Sequence, residues 1–129
     1  QRLNQKQSIK IEKNLKNDFI KKHVRLIAPN YLFAEVLNTL AIHHPPERTL
    51  AAFSFLLSFK IHSFEISLEL ASLGAMLVAS FSKASFYDAG YHALALKEGG
   101  TFITADEKYF KKAYKKGNIM LLKHYGKKK

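Results

Sequence analysis

Cysteine is absent from the 129 residues, which excludes disulfides and thiolate metal sites. That absence fits a reducing compartment. Acidic residues are scarce as well, ten against 21 Lys and Arg. Long apolar runs are missing: the longest stretch, "LELASLGAMLVASF" (68–81), contains Glu69 and two serines and is too short to span a bilayer. No apolar run follows the basic start, so no signal peptide is visible, and a soluble, cytoplasmic protein is expected. No internal repeat or long linker breaks the chain, so residues 1–129 are read as one domain. A hydrophobic content of 47% excludes a largely disordered chain and is enough for a core.

The formal charge of +11 is unevenly spread. Residues 1–30 carry eight Lys/Arg against two acids, residues 31–105 four against six, and residues 106–129 nine against two. Basic ends thus flank a slightly acidic middle, a distribution suited to a polyanion such as RNA or DNA. A solvated lysine coat has the same composition.

From Ser8 the spacing of Ile11, Leu15 and Phe19 predicts a basic helix. "HVRLIAP" (23–29) reads as a short buried strand closed by Pro29, and Asn30 as the N-cap of a helix over 31–44. Pro45 and Pro46 break the chain and start a helix over 47–59, apolar on most sides and expected to be well buried. "KIHSFEI" (60–66) alternates imperfectly as a strand, and 67–83 returns to helix. Ser85 to Asp88 spells the S-x-x-D capping box ahead of another helix, which Gly99-Gly100 ends. "TFIT" (101–104) is a buried strand, and 106–117 a helix with Phe110, Ala113 and Tyr114 inward and five lysines outward. "NIMLLKHY" (118–125) is the last strand. The order β-α-α-β-α-α-β-α-β predicts an α/β protein with a largely parallel sheet. In such sheets functional groups gather at the carboxyl ends of strands, where helices begin.

Three acids stand near such helix starts. Glu35 falls at the border of the apolar arc formed by Leu32, Phe33, Val36, Leu37 and Leu40. Asp88 partners Ser85 in the capping box, and Asp106 is an N-cap or first-turn acid. Each alone has an ordinary structural explanation. Together, three carboxylates at one sheet edge would repel one another, and a hard divalent cation such as Mg²⁺ or Mn²⁺ relieves that repulsion. Such an ion generates a hydroxide-like nucleophile at a phosphodiester, while basic flanks hold the phosphate backbone.

"LIAPNYLFAEVLNTL" (26–40) and "SFYDAGYHALALKEGGTFITADEKYFKKA" (85–113) resemble the PIN domain, specifically the VapC-like toxin nucleases. The shared pattern is an E-V-x-N helix after a strand ending in proline (Glu35, Asn38), Y-D-A-x-Y-x-A-L-A at a helix start (Tyr87 to Ala95), and T-A-D after a strand (Thr104 to Asp106). The resemblance implies a three-layer α/β/α sandwich and a Mg²⁺- or Mn²⁺-dependent endoribonuclease. Glu35, Asp88 and Asp106 would hold the metal and position the attacking water, with Thr104 orienting Asp106 or a water. It also implies a homodimer inhibited by a small antitoxin protein. The family's first strand, with its aspartate, has no counterpart here, and Asp18 does not replace it. The expectation is that an upstream piece of the protein carries it. A catalytically inactive module that binds nucleic acid or antitoxin on the same fold is the alternative.

Weaker signals remain. Lys108, Lys111, Lys112 and Asn38 are candidate RNA contacts, and Tyr87 and Tyr91 could stack on bases or pack into a core or dimer seam. His92 lies four after Asp88 on one helix face and is read first as a partner for neighbouring side chains. His43-His44 marks a helix end before the Pro-Pro break.

Overall fold

Apolar residues ending in a proline form the first strand, β1 (Ile27–Pro29), in a computed structural model that describes residues 17, 18, 21 and 24–126. The helix expected from Ser8 lies outside the described residues apart from positions 17 and 18. Helices α1 (Leu32–His43) and α2 (Pro46–Leu57) lead to β2 (His62–Phe64). Helices α3 (Leu68–Ser80) and α4 (Phe86–Glu98) follow, then β3 (Phe102–Thr104), α5 (Glu107–Ala113), a 3₁₀ turn (Tyr114–Lys116) and β4 (Ile119–Leu121). The element order matches the expectation and the class is α/β, with short parallel strands. No helix among the described residues is long and apolar enough to cross a membrane.

The strands pair in twos: β1 lies parallel to β2, and β3 parallel to β4. Ile27, Ala28 and Pro29 stand opposite His62, Ser63 and Phe64, while Phe102, Ile103 and Thr104 stand opposite Ile119, Met120 and Leu121. The expected single parallel sheet is thus two two-stranded ones among the described residues. The last strand ends at Leu121 because a 3₁₀ turn (Leu122–His124) takes up the residues after it. The described chain divides into two compact units, residues 25–66 and a second made by residues 67–126 with the described residues before 25.

In the first unit α1 and α2 meet through the edge-to-face pair Phe33 and Phe53, with ring centroids 6.3 Å apart. The buried Thr49 hydroxyl donates to the Leu40 carbonyl at 3.1 Å, tying the first turn of α2 to the end of α1. Asn30 is not the N-cap of α1. Its N–H donates to the Phe64 carbonyl at 2.8 Å, so its backbone prolongs the β1–β2 ladder, and Tyr31 holds the cap position with no side-chain bond. Helix α2 is not well buried either. Thr49 is its one buried residue, while Leu50 and Phe55 are 65% and 55% exposed. A helix apolar on most sides needs neighbours all round, and α1 covers only one stripe of it.

The second unit holds most of the described core. Leu70, Gly74 and Leu77 recur at helical spacing as the buried residues of α3, which packs against α4, where Ala89, Gly90 and Ala93 are buried. Ser67 and Ser85 cap these helices through their hydroxyls, at 3.1 Å from the Leu70 N–H and 3.2 Å from the Asp88 N–H. Gly99 closes α4 in the left-handed region at φ 71°, where its N–H and that of Gly100 both reach the Ala95 carbonyl. In α5 the inward residues are Tyr109 and Ala113, not Phe110 and Tyr114, and Tyr114 is half exposed. The helix runs seven residues before tightening to 3₁₀ geometry, and with Tyr109 and Ala113 inward the helical period itself sets Tyr114 about 100° round from Ala113.

The close approach of α3 and α4 sets a test. A Cβ on Gly74 would collide with Phe86 Cε1 and stand 3.0 Å from Cδ1. Alanine gains about 1 kcal/mol of helix propensity but incurs an overpacking cost of about 1–3 kcal/mol. Gly74→Ala should therefore lower the unfolding free energy by about 1 kcal/mol in urea titration, and adding Phe86→Leu should recover the loss.

Candidate functional site

The chain leaves β3 at Thr104 and enters α5 two residues later, so Asp106 stands at the carboxyl end of a parallel strand. Thr104 is buried, and its Oγ1 accepts the Asp106 N–H at 3.0 Å. Asp106 in turn caps α5, its Oδ1 accepting the Tyr109 N–H at 3.0 Å. This is a chain of local bonds from strand to helix: Thr104 fixes the backbone of Asp106, and Asp106 fixes the first turn of α5.

Asp88 has a parallel setting on α4. Ser85 is the N-cap, its hydroxyl accepts the Asp88 N–H, and that hydroxyl lies 3.4 Å from Asp88 Oδ2. Asp88 and Asp106 are both exposed, and each uses one carboxylate oxygen at its own helix start.

Tyr109 joins the first turn of α5 to the middle of α4. It is 3% exposed, and its ring packs edge-to-face with Phe81, His92 and Phe102. Its hydroxyl meets His92 Nδ1 at 2.9 Å. Burial pushes the Tyr109 hydroxyl up to about 12, and the negative charge of Asp88 adds to the shift.

His92 is completely buried, and its Nε2 lies 2.7 Å from the Gly117 carbonyl. A carbonyl only accepts, so Nε2 carries the proton. The neutral imidazole then presents Nδ1 as an acceptor for the Tyr109 hydroxyl. Gly117 stands at φ 80° and ψ −179°, a backbone region that is essentially glycine's alone. The glycine that ends the 3₁₀ turn thus also aims its carbonyl at the histidine. Desolvation lowers the His92 pKa below 6.5, against the opposing effect of the Gly117 bond.

Of the residues expected to act together, Asp88, Thr104 and Asp106 belong to the second unit, and Glu35 and Asn38 to the first. Glu35 is half buried in the first turn of α1 and accepts the Thr39 hydroxyl on its backbone carbonyl. Asn38 is exposed. Lys108 and Lys111 are exposed on α5, while the Lys112 ammonium donates to the Ser82 carbonyl. Tyr91 stacks on Phe102 with centroids 5.7 Å apart, and Tyr87 is 55% exposed. Among the described residues no group of three or more His, Asp or Glu could hold a metal ion. Tyr109 is the residue that sequence reasoning missed. The available signal was its i+3 spacing from Asp106, which a seven-residue helix leaves too weak for periodicity to resolve.

No protein-family model matches this chain, and neither the curated proteins nor the solved structures provide a match.

His92 predicts a pH dependence. Its folded pKa lies below the ordinary 6.5, so the unfolded chain binds the proton more readily. The stabilisation from neutral His92 is complete above pH 6.5 and is lost as pH falls from there through the lowered folded value. One such group contributes a slope of at most about 1.4 kcal/mol per pH unit. Urea titrations from pH 7.5 to 5 should show this fall in the parent chain and a flatter profile in His92→Asn; equal slopes would exclude the assignment.

Proposed function

We propose that this chain is a VapC-like PIN-domain endoribonuclease that hydrolyses RNA phosphodiesters with a Mg²⁺ or Mn²⁺ ion, built as a three-layer α/β/α sandwich. The observation that carries the reading is Asp106, an exposed carboxylate at the end of a parallel strand whose backbone is held by buried Thr104. The three motifs in register support it, as do the α/β element order and the parallel strand pairs.

The donor chemistry fits such an ion. Asp88 and Asp106 are hard oxygen ligands, and a magnesium-type site needs only a few carboxylates beside waters and substrate phosphates. Asp88 and Asp106 would hold the ion, beside waters and substrate phosphates. When bound, the ion supplies a hydroxide-like nucleophile and neutralises charge gathering on the phosphodiester. Thr104 holds Asp106 against rotation away from the strand end. Lys108 and Lys111, within the first two turns after Asp106, draw the RNA backbone toward the carboxylates. Lys112 adds positive potential from its place on Ser82. The exposed apolar residues of α2, Leu50, Phe55 and Leu57, support a protein partner, either the antitoxin or a second copy.

The absence of a three-carboxylate group among the described residues favours a second reading, an inactive RNA-binding or antitoxin-binding module. Cleavage of end-labelled single-stranded RNA in Mn²⁺ separates the two. Asn caps helices as well as Asp does, so Asp106→Asn should keep stability within about 1 kcal/mol. It should slow cleavage on the order of a hundredfold. Cleavage that ignores both metal and this substitution would sink the nuclease reading. Salt-sensitive RNA binding with no cleavage would establish the binding module.

A further inference from the structure

The lysines of α5 and of the turn after it stand where folding gains nothing from them. With Tyr109 and Ala113 inward, Lys108, Lys111 and Lys115 recur one turn apart along the opposite side, and all three are exposed. Lys108 and Lys112, Lys111 and Lys115, and Lys112 and Lys116 are like charges four residues apart, a spacing at which they repel along a helix. Lys108 also lies in the first turn, where the helix dipole disfavours a cation. Glu107, the single acid of α5, is paired with Lys123 at 2.9 Å, and among the described residues Lys108, Lys111 and Lys115 enter no ion pair. An aromatic ring stands in water beside this row. Tyr114 is 50% exposed and stacks on Phe110, with ring centroids 5.9 Å apart and planes 26° from parallel. A leucine would pair with Phe110 at that spacing as well, so helix stability does not call for the second ring.

We infer that the outer side of α5 and its 3₁₀ turn is a contact strip for a single nucleic-acid strand, with Lys108, Lys111 and Lys115 on phosphates and Tyr114 stacked on a base. The inference rests on the RNA reading and deepens it, and it makes no use of a metal ion. Phosphates relieve the repulsion that the lysine row carries when unbound, and each phosphate neutralised releases counterions. A base extends the stack of Phe110 and Tyr114, and since every base has a flat face the contact tolerates many sequences. In a duplex those faces are already covered by neighbouring bases, so the strip selects single strands. An anionic membrane would attract the lysines equally. A helix seated on a membrane keeps its apolar face for the lipid, however, and that of α5 is spent on Tyr109 and Ala113 inside the protein.

The test is fluorescence anisotropy of a short labelled RNA that cannot pair with itself, and of an abasic strand of the same length, over a series of KCl concentrations. EDTA is present so that no strand is cut, and folding of each variant is checked by circular dichroism. Replacing Lys108, Lys111 and Lys115 together by alanine should lower the slope of log affinity against log salt by about 2, since each phosphate contact on a single strand contributes about 0.7. Replacing Arg25, Arg48 and Lys60, exposed cations of residues 25–66, should leave the slope at the parent value. Tyr114→Leu keeps an apolar partner for Phe110; it should weaken RNA binding about tenfold and leave binding of the abasic strand unchanged, while Tyr114→Phe matches the parent. An equal fall in slope from both triple variants overturns the strip and leaves the RNA reading standing. So does a Tyr114→Leu effect that is absent, or the same on the abasic strand. A parent chain that binds neither strand, or binds anionic phospholipid vesicles and not RNA, overturns the RNA reading and the strip with it.

Discussion

A buried imidazole bonded on both sides organises the unit made by residues 67–126. His92 has no exposed surface, and burying a polar ring is unfavourable unless each nitrogen finds a partner. Gly117 meets one nitrogen and Tyr109 the other. Three elements are fixed by this arrangement: the middle of α4, the inner face of α5 and the turn that leads into β4. Tyr91 and Phe102 stack beside it and add aromatic contact between α4 and β3. Loss of either partner would leave a buried nitrogen unpaired, which costs more than the bond itself contributes.

Helix capping and the proposed metal binding would ask different things of the same carboxylates. A serine with an acid three residues on, and an aspartate ahead of a first turn, each stabilise a helix without any ligand. Capping explains why Asp88 and Asp106 are acidic, yet asparagine would cap α5 equally well. Capping also does not require the buried bond from Tyr109 to His92 in the middle of α4. Nor does it call for Thr104, whose buried hydroxyl holds the Asp106 backbone at the strand end. What distinguishes Asp106 is the buried Thr104 hydroxyl that accepts its N–H.

The sequence showed element order and type well, because punctuation was strong wherever chain direction changed. Pro45-Pro46, Ser67, Ser85 and Gly99 all stand at or next to the ends of observed helices. It showed phase poorly where elements are short. Three-residue strands have too few alternations to reveal a face, and α5 switches to 3₁₀ geometry before its period is established, which hid Tyr109 behind Phe110 and Tyr114. Asn30 had the chemistry of a cap, but its N–H was already committed to Phe64 across the ladder. The pairing of β3 with β4 and of β1 with β2 depends on contacts distant in sequence, which no local pattern carries. Asp88, Thr104 and Asp106 were legible as candidates from their motifs. The bond between His92 and Tyr109 was not, since it joins residues 17 apart.

Burial is distributed to match. In residues 25–66 only Ala28, Pro29 and Thr49 are buried, and large apolar side chains of α2 remain in water. In residues 67–126 the inner residues of α3 and α4 (Leu70, Leu77, Ala89, Ala93 and Leu94), with Tyr109, Ala113 and Leu121, are buried. Binding geometry is held best where the supporting side chains have a single packed arrangement. A carboxylate on a loosely covered helix pays rotamer and backbone entropy when it meets a ligand, whereas one set at the rim of a packed core has already lost that freedom on folding. By that criterion Asp88 and Asp106, on helices that carry buried residues, would have the smaller ordering cost on meeting a ligand. Glu35, in the first turn of a helix with no buried residue, has the larger ordering cost still to meet.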